Sequence, residues 1–128
     1  MESNKKILIV DDDNFLLDMY SLKFSKASFE VLAAPGAQAA LDKIKAGFNP
    51  DVILLDIVMP GMDGFEFMEK MKEDNVASDA IKIILSNRGQ PGDIARGESL
   101  GAAGYIVKAS STPGEVIEKV KSIIEEKK

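Results

Sequence analysis

Lys6-Ile7-Leu8-Ile9-Val10-Asp11-Asp12-Asp13 sets the reading of the whole chain. Four apolar residues run without alternation and then stop at three acids. A strand with one wet face would alternate, so an unbroken run of this length reads as a strand buried on both faces. The same form returns at Asp51-Val52-Ile53-Leu54-Leu55-Asp56, at Ile81 to Leu85 followed by Ser86, and at Tyr105 to Val107 followed by Lys108. Glu30 to Ala33 is a fifth, shorter run, stopped by Pro35-Gly36.

Helical patterns fill the intervals. Phe15, Leu16, Met19 and Leu22 suggest one buried face at spacings of three and four, and Ala37, Ala40, Leu41, Ile44 and Phe48 a second. Gly64 to Lys72 carries a third helix with Phe65, Met68 and Met71 inward, and Asp63 with Glu66 forms a capping-box pattern at its start. Met62, Met68 and Met71 read as packing residues. Asp93 to Leu100 is a weak fourth helix, since Gly97 costs about 1 kcal/mol against Ala in a helix interior. Thr112-Pro113-Gly114-Glu115 is a strong helix start, followed by Val116, Ile117, Val120, Ile123 and Ile124 on one face.

Five strands alternating with five helices imply an α/β fold: a doubly wound, five-stranded parallel sheet covered on both faces. Ligands in such sheets sit at the carboxyl ends of the strands, near the switch point. The residues after each strand are therefore where chemistry is expected.

Composition narrows that chemistry. The chain has 128 residues, 45% of them hydrophobic, which suits one domain spanning residues 1–128 with a real core. It has no cysteine and no histidine, which removes thiolate sites and the commonest general base. A site here must work with carboxylates, lysine, arginine and hydroxyls. The net charge of −5 and the lack of a basic patch argue against nucleic acid as a partner. Lys5-Lys6 and Lys127-Lys128 read as solvated termini. Met1 to Lys6 is not followed by a signal-peptide core, and no run approaches membrane-spanning length, so the expected location is cytoplasmic, away from membranes.

Asp11, Asp12 and Asp13 follow the first strand, Asp56 the third, Ser86 to Arg88 the fourth and Lys108 the fifth. The fold brings these together at one edge. Hard oxygen ligands with room for water suit Mg²⁺. A carboxylate can act as a nucleophile and form an aspartyl phosphate, while a cation offsets the repulsion among crowded acids. Asp13 reads better as a helix cap than as a ligand.

In these motifs the sequence resembles bacterial two-component response-regulator receiver domains. The resemblance rests on Lys6 to Asp13, on Asp51 to Asp56 with Met59-Pro60-Gly61-Met62-Asp63-Gly64, on Ile83 to Ser86, and on Gly101 to Lys108. It runs from about Lys5 to Ile124. It implies a flavodoxin-like strand order, 2-1-3-4-5, and similarity to single-domain chemotaxis-type and phosphorelay regulators without an output domain. It also implies roles. Asp56 is the phosphoacceptor. Asp11, Asp12, Asp56 and the backbone carbonyl of Val58 bind Mg²⁺, with Asp12 the more direct ligand and Asp11 acting partly through water. Ser86 and Lys108 bind the phosphoryl oxygens. Ser86 and Tyr105 form the switch, and Val58 and Arg88 tune dephosphorylation. The donor is a histidine kinase or histidine phosphotransfer protein, since this chain has no histidine of its own. The output is a protein–protein contact with a downstream target.

One departure from the family pattern concerns Ala109, which stands where a proline, often cis, usually follows the lysine. A cis bond before a residue other than proline costs about 2.5–4 kcal/mol. The expectation is a trans bond, with Ser110, Ser111 and Thr112 holding the loop by side-chain hydrogen bonds and Lys108 still reaching Asp56. Two other functions fit an α/β sheet. A phosphorylation-independent interaction module would gain support from the loss of Asp56 or Lys108, and both are present. A flavodoxin-like electron carrier would need a phosphate-cradling loop where Asp11 to Asp13 would repel the phosphate.

Overall fold

A computed structural model describes residues 5–127. Met1 to Asn4 lie outside them, as does Lys128, so the reading of Lys128 as a solvated end falls outside the described residues; Lys5, Lys6 and Lys127 are exposed. The elements are β1 (Lys6–Val10), α1 (Asn14–Lys26), β2 (Glu30–Ala34), α2 (Ala37–Lys45), β3 (Val52–Leu55), α3 (Gly64–Glu73), β4 (Ile81–Ser86), α4 (Pro91–Ser99), β5 (Ala102–Val107) and α5 (Pro113–Glu126), with a single 3-10 turn at Lys108–Ser110. All pairings are parallel, in the order β2-β1-β3-β4-β5.

The unbroken apolar runs explain the two cores. Along each central strand, alternate residues point to opposite faces. Leu8, Val10, Ile53, Leu55 and Ile84 join α2 and α3 in one cluster. Ile7, Ile9, Val52, Leu54, Ile83 and Leu85 join α1 and α5 in the other. With helices on both faces, neither set has a wet side, so β1 and β3 need no polar alternation.

Helix caps follow the sequence. Asp13 accepts the Phe15 and Leu16 N–H groups, which makes it the cap of α1. Capping boxes join Asp63 to Glu66 and Thr112 to Glu115. The buried stripe of α1, however, is Leu17, Tyr20 and Phe24. Phe15 and Leu22 of the expected face are 76% and 57% exposed, whereas Leu16 and Met19 are half-buried. Contiguous apolar residues at 15–17 allow two helical phases, and packing on the sheet selects the one that buries Phe24 against Phe29.

β5 starts three residues before the apolar run at Tyr105. Ala102, Ala103 and Gly104 have weak strand preference but are paired with β4 through a register shift at Lys82/Ile83. Gly104 lets Ile123 of α5 pack closely, since a Cβ there would lie 2.4 Å from Ile123 Cδ1 and push that side chain aside. No peptide bond among the described residues is cis, so Lys108-Ala109 is trans. Lys119 donates to Ser111 Oγ at 2.8 Å, and Thr112 caps α5, which secures the loop after Lys108.

Candidate functional site

The carboxyl ends of β1, β3 and β5 converge. Asp11 is 4% exposed and Asp56 7%, both at strand ends where backbone groups can be drawn into the site. Lys108 bridges them, donating to Asp11 Oδ2 at 2.8 Å and to Asp56 Oδ2 at 3.0 Å. The remaining oxygens are also occupied. Asp11 Oδ1 accepts the Asp13 N–H at 3.0 Å. Asp56 Oδ1 accepts the Ile57 N–H at 2.7 Å and the Val58 N–H at 3.3 Å. Buried carboxylates of this kind need such partners, because an unpaired buried charge costs several kcal/mol.

Burial pushes the Asp11 carboxyl above the usual aspartate range; the hydrogen bonds from Lys108 and from the Asp13 N–H act against that rise but do not cancel it. Burial alone would lower the Lys108 ammonium, but its hydrogen bonds to Asp11 and Asp56, and their charges, hold it above the usual lysine value. Asp12 is exposed at the mouth. One oxygen each from Asp11, Asp12 and Asp56 lie within 4.8 Å of one another, close enough to share one cation. The donors are all hard oxygens, which favours a hard divalent ion over a soft metal.

Ser86 ends β4 with no exposure, and its Oγ accepts the Arg88 N–H at 3.2 Å. Tyr105 is half-buried, and its hydroxyl donates to the Arg88 carbonyl. The Tyr105 ring lies along α4 beside Gly97. Thus Asp11, Asp12, Asp56 and Lys108 form one cluster, while Ser86 and Tyr105 meet at the Arg88 backbone. Val58, two residues after Asp56, is 59% exposed.

A family model for the response regulator receiver domain matches residues 7–121. The chain belongs to this family. Among solved structures, this receiver domain is similar to the chemotaxis protein CheY4 of Vibrio cholerae, with 28% identity, 94% of this chain and 98% of the other covered, and a TM-score of 0.86. It is also similar to a CheY-like receiver domain protein from Methanospirillum hungatei, with 33% identity, coverage of 97% and 96%, and a TM-score of 0.84. Among curated relatives, the phosphate regulon transcriptional regulatory protein PhoB of Pseudomonas aeruginosa is 33% identical over 120 residues, which are 94% of this chain and 52% of the relative. The alkaline phosphatase synthesis transcriptional regulatory protein PhoP of Bacillus subtilis is 31% identical, with 94% and 49% covered. The chain spans about half the length of these curated relatives. Receiver domains are signalling modules of two-component systems, and the strand order matches the order expected for the family. No helix among the described residues is long and apolar enough to cross a membrane.

One contact at this edge escaped the sequence reading: Phe65, read as a core residue, carries two arginine guanidinium groups on its ring, those of Arg88 and Arg96. Gly64, part of the Met59 to Gly64 motif, presses against Asp56: a Cβ there would lie 2.3 Å from the Asp56 carbonyl oxygen.

Proposed function

We propose that this receiver domain takes a phosphoryl group onto Asp56 from the phosphohistidine of a histidine kinase or phosphotransfer protein, and that Mg²⁺ assists. The observation that carries this reading is the Asp11–Lys108–Asp56 bridge beside the exposed Asp12. Asp11 shares the ammonium and the acidic neighbours, but the resemblance to receiver domains favours the acid at the end of the third strand, which is Asp56. Its Oδ2 would attack phosphorus; the phosphorus–nitrogen bond of the donor imidazole would break, and the imidazole would leave with the bonding electron pair.

Asp11, Asp12, Asp56 and the Val58 carbonyl would hold the ion, which supplies charge neutralisation for the incoming phosphoryl oxygens. Lys108, already in place, would move from Asp56 Oδ2 to a phosphoryl oxygen at little reorganisation cost. Ser86 would leave the Arg88 N–H to donate to another phosphoryl oxygen, which disturbs the Arg88 backbone and with it the Tyr105 contact. The output would be a changed protein-binding surface. Val58 and Arg88 border the acceptor and would set access for hydrolysis.

The test is labelling by acetyl phosphate with Mg²⁺ present, read by intact mass. The wild type gains one phosphoryl group and Asp56→Asn gains none. Full labelling of Asp56→Asn, with the group mapped to another acid, would overturn the assignment.

A further inference from the structure

The two arginines on Phe65 link the Asp56 loop to α4 by a route that joins Ser86 and Tyr105 at Arg88. Phe65 is the second residue of α3 and has no solvent exposure. Its backbone is tied closely to the acceptor. The preceding residue, Gly64, donates its N–H to the Ile57 carbonyl at 2.9 Å and packs on the Asp56 carbonyl with no room for a side chain. Displacement of Asp56 or Ile57 is therefore transmitted to the Phe65 ring through backbone contacts.

On the ring, the Arg96 guanidinium lies 4.5 Å from the centroid and that of Arg88 5.8 Å. Both are within range of a cation–π attraction. Each also has a carboxylate partner. Arg88 Nε meets Asp93 Oδ1 at 3.0 Å, and an Arg96 terminal nitrogen meets Glu69 Oε2 at 4.0 Å. Arg96 thereby fastens α4 to α3. Arg88 fastens the β4–α4 loop to α4, and its backbone holds both the Ser86 hydroxyl and the Tyr105 hydroxyl. An Arg pair on one ring is also a like-charge contact, tolerable because Asp93 and Glu69 offset it.

We infer that Phe65, Arg88 and Arg96 form a clamp that holds the β4–α4 loop and α4 in the arrangement seen here, and so sets how readily Asp56 is phosphorylated. These are positioning residues. None needs to touch the phosphoryl group. The clamp opposes the displacement of Ser86 toward the acceptor, and loosening it lowers the cost of that displacement.

The inference rests on the phosphoacceptor reading, and the experiment separates the two. Arg96→Met keeps the apolar stem and removes the charge; Phe65→Leu keeps an apolar residue and removes the ring. Hydrogen exchange of the unphosphorylated protein reads the clamp without any phosphorylation. Both variants should speed exchange in residues 88–100 about threefold to tenfold and leave β1 and β3 unchanged. Both should raise the rate of labelling by acetyl phosphate by a similar factor, and Arg96→Lys should restore most of the wild-type behaviour. The double variant should fall clearly short of the sum of the two single ones, because both remove the Arg96–Phe65 contact.

Unchanged exchange in both single variants, or effects that simply add in the double variant, would overturn the clamp. So would faster exchange with an unchanged labelling rate, which would make the contact purely structural. If the wild type takes no label at Asp56, the phosphoacceptor reading fails, and the labelling role of the clamp fails with it.

Discussion

The acceptor edge and the α4 edge sit side by side on one sheet but are held by different kinds of contact. At the acceptor edge, β1 and β3 are buried on both faces, and both oxygens of Asp11 and of Asp56 have hydrogen-bond partners. At the α4 edge, Gly97 is the only buried residue of the helix. Its ion pairs are largely open to water: Arg88 and Arg96 side chains are each 48% exposed. Exposed pairs of this kind contribute at most about 1 kcal/mol. Buried charge demands a fixed frame, and a segment that must respond to that charge is drawn from the weakly held part of the fold. Under the proposed function, the contrast places the chemistry at one edge and the response at the other.

The sharpest way to break the comparison is at Lys108. Lys108→Ala leaves two neighbouring buried carboxylates without their cation. Stability of the metal-free protein should fall by about 3 kcal/mol at pH 7, and added Mg²⁺ should recover part of it. Chemical denaturation with and without Mg²⁺ checks this; a loss below about 0.5 kcal/mol would show that the acceptor edge is not held by charge pairing. The wild type adds a pH arm. Because the folded Lys108 value lies above the ordinary 10.5, the stability from its pairing is fully present below that pH and is lost as pH rises through the folded value.

The same substitution placed at each edge is a second test. Gly64→Ala sets a methyl 2.3 Å from the Asp56 carbonyl oxygen and 2.8 Å from Ile57 Cα, both backbone atoms. It should destabilise by about 3 kcal/mol through overpacking and slow labelling of Asp56. Gly97→Ala meets the end of the Ile84 side chain at 2.6 Å, which can turn, and the Tyr105 ring at 3.5 Å. Here the helix gains about 1 kcal/mol and the Ile84 shift costs a similar amount. The net change should be under about 1 kcal/mol, with altered response in α4 as the main effect. Equal losses at both glycines would remove the mechanical contrast between the edges.

Much of the acceptor edge was legible in the sequence, because each acid there ends an unbroken apolar run that has only one way to be buried. Lys108 follows the same rule at β5, and its long stem reaches Asp56 without a cis bond. The α4 edge was less legible for a physical reason. Phe65 reads as core by its spacing, and nothing local marks Arg88 and Arg96 as its partners across more than twenty residues. The inward phase of α1 was misread because Phe15-Leu16-Leu17 fits two stripes, and only packing on the sheet chooses between them. The early start of β5 was missed because Ala102, Ala103 and Gly104 have weak strand preference, and Gly104 is there for its small size beneath Ile123.

Hydrogen exchange with Mg²⁺ and beryllofluoride, compared with the untreated protein and with Asp56→Asn, tests the division of labour most directly. The account expects altered protection across Arg88 to Gly101, a segment that holds four of the ten glycines. It expects little change in β1 and β3, and no response in Asp56→Asn. A response confined to residues 37–46, around α2, or one that persists without the Asp56 carboxylate, would contradict it.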